Sequence, residues 1–143
     1  MSIINKFTDF KAMLFNTVKK TSKNIENDDE MLKLMNKCAK VLNDMAERQV
    51  PENNKFRKVF VAFDIPKTRN EALISISHDE IEPKNFRNVA VQVHNINSDK
   101  FYSKYIFKGT KNEVMNFIAD TNNHKNILDT AMVLSKRVEE DYF

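Results

Sequence analysis

The chain has 143 residues, 41% of them hydrophobic and 30% charged, with a net charge of +3. That size fits one domain over residues 1–143, with an apolar content that suits a folded core rather than a disordered chain. A single glycine excludes a P-loop, a dinucleotide GxGxxG turn and a GxSxG nucleophile elbow, and a single cysteine, Cys38, excludes an internal disulfide and a cysteine zinc cluster.

Residues 3–20 place Ile3, Ile4, Phe7, Phe10, Met13 or Leu14, and Val18 at helical spacing. After the polar stretch TSKNIENDD, residues 29–49 carry the strongest helical pattern. Asp28 or Asp29 can cap it, and Pro51 ends it. Met31, Leu34, Cys38, Val41 and Met45 form one seam, widened by Leu32, Met35, Ala39, Leu42 and Ala46. A stripe this broad predicts a buried helix. Its methionines read as core, with a homodimer contact as the alternative use of any uncovered remainder.

The period then changes. FRKVFVAFDI (56–65) and EALISISH (71–78) read as two strands joined by the turn PKTRN. NVAVQVHNI (88–96) and FYSKYIFK (101–108) follow, joined by NSDK. Short connections predict an antiparallel meander. Gly109 is expected to stop the fourth strand in a left-handed conformation. Thr110 and Glu113 have capping-box spacing and open a helix through Val114, Phe117 and Ile118; TNNHKN interrupts, and Ile127 to about Glu140 forms the last helix. The predicted fold is α+β: a four-stranded antiparallel meander flanked by two N-terminal and two C-terminal helices, ααββββαα.

Alternation divides the strand residues between two faces. Val59, Val61, Phe63, Ile74, Ile76, Val89, Val91, Val93, Phe101, Tyr105 and Phe107 are expected to face the helices. Phe60, Ala62, Ser75, Ser77, Gln92, His94, Tyr102, Lys104 and Lys108 are expected on a mixed, wetter face. Seven of these form the candidate partner-binding surface. Phe60 and Tyr102 supply area, Ser75, Ser77, Gln92 and His94 hydrogen bonds, and Lys104 a charge.

Catalytic chemistry finds little support. Cys38 lies on the seam of its helix and reads as core. His78, His94 and His124 form no HxH or HxxxH pair. His78 beside Asp79 and Glu80, or His94 with a carboxylate, gives the reading of a small enzyme. Lys55, Arg57, Lys58, Lys67, Arg69, Lys84 and Arg87 fall at strand starts and in loops and give the reading of a nucleic-acid binder. Glu71, Asp79, Glu80 and Glu82 dilute that charge, and the pI of 8.9 sits just below the usual range for such domains. The favoured expectation is a non-catalytic, cytoplasmic regulatory protein, without cofactor, metal or membrane span, that occupies a macromolecular partner, in first place a protein. Asn and Lys occur 18 times each. That bias matches an AT-rich genome, such as a low-GC bacterium or its phage, and suggests a phage or mobile-element inhibitor.

Overall fold

Residues 28–48, 58–83 and 85–142 are described by a computed structural model. The amphipathic stretch 3–20, Pro51 and the basic residues Lys55, Arg57 and Lys84 lie outside the described residues.

The broad apolar stripe of the first described helix, α1 (Asp28–Arg48), is buried as its spacing predicts. Met31, Leu34, Met35, Cys38, Ala39, Leu42 and Ala46 are buried, and Leu32, Val41 and Met45 pack partly buried against the same core. The methionines are therefore used in packing, where their flexible thioethers fill gaps between helix and sheet.

Four strands follow: β1 (Val59–Asp64), β2 (Asn70–His78), β3 (Arg87–Asn95) and β4 (Phe101–Gly109). They form one sheet in the order β1-β2-β3-β4, with every neighbouring pair antiparallel. The fold is thus α+β. The β1–β2 turn closes through Ile65 N–H to Asn70 O (3.0 Å). Lys67 takes φ 64° there, a left-handed position at which the sequence offers no glycine.

Two further helices follow among the described residues: α2 (Lys111–Ala119) and, after a 3-10 turn at Thr121–Asn123, α3 (His124–Tyr142). The described helices share one face of the sheet. α1 lies against β1, α3 against β3 and β4, and α2 against β4 and α1. Val61, Ile74 and Val91 meet side by side beneath them, fully buried. Each is worth roughly 1.5–3 kcal/mol, so this layer dominates stability.

Three local details differ from the sequence reading or extend it. The capping box forms: Thr110 Oγ1 accepts from Glu113 N–H (3.2 Å), and Glu113 Oε1 accepts from Thr110 N–H (2.9 Å). Gly109, expected in a left-handed conformation, has no positive φ. Its role is steric, because a Cβ there would stand 2.9 Å from Glu113 Cβ and 3.0 Å from Phe107 Cε2. α3 begins three residues before the expected Ile127. His124 is buried in its first turn and its Nε2 lies 2.8 Å from the Ile118 carbonyl, so that nitrogen carries the donated proton.

The main correction concerns β4. From His94↔Phe101 to Ala90↔Tyr105 the register runs evenly, but Val89 pairs with Phe107. Ile106 is an extra residue, a β-bulge, and it reverses facing on its two sides. Phe107 points inward and Lys108 outward as alternation predicts. Residues 101–105 are inverted: Tyr102 and Lys104 pair with Val93 and Val91 on the helix side, and Phe101 and Tyr105 turn to the other face.

Candidate functional site

The outer face is set by pairing. Four rows cross the sheet: Asp64–Glu71–His94–Phe101, Ala62–Leu73–Gln92–Ser103, Phe60–Ser75–Ala90–Tyr105, and Ser77–Asn88–Lys108. From β2 to β4 burial falls along these rows. On β1 and β2, Ala62, Leu73, Ser75 and Glu71 are buried, and Phe60 packs against Ala62 and Leu73 in a second apolar cluster. Gln92 and His94 on β3 are half-buried, and Phe101, Ser103 and Tyr105 on β4 are exposed.

The residues proposed from sequence separate accordingly. Ser75 is only 5% exposed, so its hydroxyl is not at the surface. Phe60, Ser77, Gln92 and His94 lie on the outer face, partly covered. Tyr102 is removed from that face altogether. It packs against the main core, and the Arg137 guanidinium of α3 sits 4.4 Å from its ring centre. Lys104 faces the same side, with its length exposed.

Phe101 and Tyr105 take their place. They are 56% and 68% exposed. Ile81, from the β2–β3 connection, is 86% exposed and shares a groove with Tyr105, Asp79, Asn88 and Lys108. The run Tyr105–Ile106–Phe107 hints at crowding there, but alternation alone places Tyr105 and Phe107 on one face and does not locate the bulge.

The groove wall is rigidly tied. Asp79 Oδ2 accepts from the N–H groups of Ile81 (3.2 Å) and Glu82 (3.0 Å), and Oδ1 accepts from Asn88 Nδ2 (3.1 Å). Lys108 Nζ stands 3.4 Å from Oδ1 and 5.3 Å from the Phe86 ring centre. The Glu82 backbone bond, then Asn88 and Lys108, lower the Asp79 carboxyl from 3.8 to about 2. A carboxylate so committed is a poor proton acceptor near neutrality.

The other chemical candidates stand in separate settings. His78 is exposed, and its neighbour Asp79 is held by the loop. His94 Nε2 is 3.7 Å from Oε1 of buried Glu71, beyond hydrogen-bonding distance. Cys38 is buried and its thiol is pushed up to about 12 by desolvation. Arg87 is buried, with Nη1 donating to the carbonyls of Pro83 (3.1 Å) and Phe86 (3.4 Å), so it is not presented to a phosphate. Among the described residues no group of three His, Cys, Asp or Glu side chains could hold a metal ion, and no helix is long and apolar enough to cross a membrane.

Comparison with protein-family models, curated proteins and solved structures finds no match.

Proposed function

We propose that this chain is a small, non-catalytic regulatory protein that acts by occupying a protein partner with the β4 side of its outer sheet face. The observation that carries the reading is the outward pair Phe101 and Tyr105, more than half exposed, with Ile81 beside Tyr105. Large apolar groups gathered on a surface mark interaction sites, and aromatic rings give contact area at low entropy cost. Gln92 and Ser103 lie between the two aromatics and offer hydrogen bonds.

A protein partner fits better than nucleic acid. Asp79 and Glu80 line the groove beside Tyr105, with Lys108 as its one cation among the described residues, and Arg87 is turned into its own loop. A phosphate backbone needs clustered cations instead. The unpaired, buried Cys38 suits a reducing cytoplasm. The limited chemistry of Asp79, His78 and His94 supports a role without catalysis.

The test is affinity capture from the native host cell, with the eluate analysed for both protein and nucleic acid. A specific protein should be retained and should survive a rise in salt. Recovery of nucleic acid alone, lost steeply with salt, would replace this reading with the nucleic-acid one.

A further inference from the structure

We infer that the free edge of β4 pairs with the β4 edge of a second copy of this chain, about a two-fold axis at Ser103. The inference rests on a separate observation, the open backbone edge of β4, although Phe101 and Tyr105 contribute side chains to both surfaces.

The hydrogen-bond phase of the sheet fixes which groups point outward. Asn95 N–H donates to Lys100 O (3.2 Å), closing a hydrogen-bonded pair at the hairpin end. In an antiparallel ladder such pairs alternate. Positions 93–102 and 91–104 are therefore hydrogen-bonded, and Phe101, Ser103 and Tyr105 direct their N–H and C=O groups away from β3. On the other side of β3, Ile96 N–H bonds Arg69 O (2.9 Å), which gives the same phase. β3 is the only sheet neighbour of β4 among the described residues, and residues 103–105 are all exposed.

A two-fold axis at Ser103 places Ser103 opposite itself and Phe101 opposite the partner's Tyr105. These are the residues whose backbone groups point outward, so every pair is a hydrogen-bonded one. Three pairs exchange about six backbone hydrogen bonds. The same symmetry makes two cross-strand aromatic pairs on the outer face, an arrangement that favours pairing. On the helix side Tyr102 faces the partner's Lys104, whose alkyl stem can lie along the ring. Val133 lies one turn from Arg137, which covers Tyr102, so this exposed apolar residue is on the same flank of α3. The bulge just beyond Tyr105 ends the matching stretch, since an extra residue cannot continue the ladder. Pairing would join two four-stranded sheets into one of eight strands.

The test uses the full chain. Sedimentation or light scattering should give twice the 16.8 kDa of one chain. Ser103→Pro removes an N–H that points outward, leaves the β3 ladder intact, and should halve that mass with the circular dichroism unchanged. Ser103→Cys should oxidise to a covalent dimer. Cα atoms in a hydrogen-bonded pair are about 5.5 Å apart, within the usual disulfide range. Asp99→Cys, exposed in the hairpin turn, should not cross-link, and buried Cys38 does not compete. A wild-type chain of single-chain mass through the micromolar range overturns the inference. So does S103P that keeps the double mass, or S103C that cross-links no faster than D99C. A single-chain mass with protein capture intact would leave the proposed function standing; a dimer that captures nothing would remove only that function.

Discussion

Tyr102 of β4 pairs with Val93 of β3, a residue wholly inside the core, and so faces the helices. The bulge at Ile106 makes this compatible with Phe107 also pointing inward, five residues further on. Tyrosine chemistry reads the arrangement out directly. On brief nitration followed by peptide mapping, Tyr105 should react well before Tyr102, which is covered on one side by Arg137. Equal rates at the two rings, or faster reaction at Tyr102, would contradict the register.

Asn70 ties the hairpin end of the sheet to α3. Its Nδ2 donates to Ser135 Oγ (2.8 Å) in a buried setting, and its Oδ1 accepts from Nδ2 of the half-buried Asn95 (3.0 Å). Asn70→Ala takes the donor from buried Ser135 Oγ, a loss of roughly 1–3 kcal/mol for a buried group, while half-buried Asn95 can turn to water. Chemical denaturation should show a lower midpoint with an unchanged slope; an unaltered midpoint would mean the network contributes nothing.

The groove at Asp79 should respond to acid. Its carboxyl is lowered from 3.8 to about 2 in the folded chain, chiefly by the Glu82 N–H and then by Asn88 and Lys108. A depressed carboxyl stabilises the fold above its unfolded value, and that contribution is lost as pH falls from about 4 towards 2. Asp79→Asn should be less stable than wild type at neutral pH, and the gap should close over that window. A gap that stays constant with pH would assign the loss to shape rather than charge.

Cys38 should be inert in the native state. Burial raises the thiol to about 12, and the thiolate is the reacting form. A thiol reagent at neutral pH should label it only after denaturant is added. Rapid labelling of the folded chain would show that α1 opens from the sheet.

Much of the architecture was legible because its signals are local. The α1 seam, the three alternating strands β1–β3 and the Thr110–Glu113 capping box all follow from spacing alone. The face of β4 was not. Phe101, Tyr105 and Phe107 share odd positions and imitate one apolar stripe, so the smooth register looked sufficient. What decides the matter is tertiary: Tyr102 fills space beside Val93 and under Arg137, and Phe107 stacks on Phe117 with centroids 4.4 Å apart. Satisfying both contacts requires one extra residue between them. Gly109 shows the same limit, since its reason is the approach of Glu113 and Phe107 rather than a backbone conformation. Alternation does not report coverage either: Ser75 shares the outward parity of Ser77 and is nonetheless buried.

The most direct test of the account compares two double variants in partner capture. Phe101→Ser with Tyr105→Ser removes the outward pair; Tyr102→Phe with Lys104→Ala changes the inward pair and keeps the ring under Arg137. The first should lower capture of the protein partner about tenfold or more, as expected for loss of central aromatic anchors, with folding intact by circular dichroism. The second should bind as wild type. Undiminished capture by the first variant, or loss confined to the second, would contradict the assignment of the binding surface to the outer side of β4.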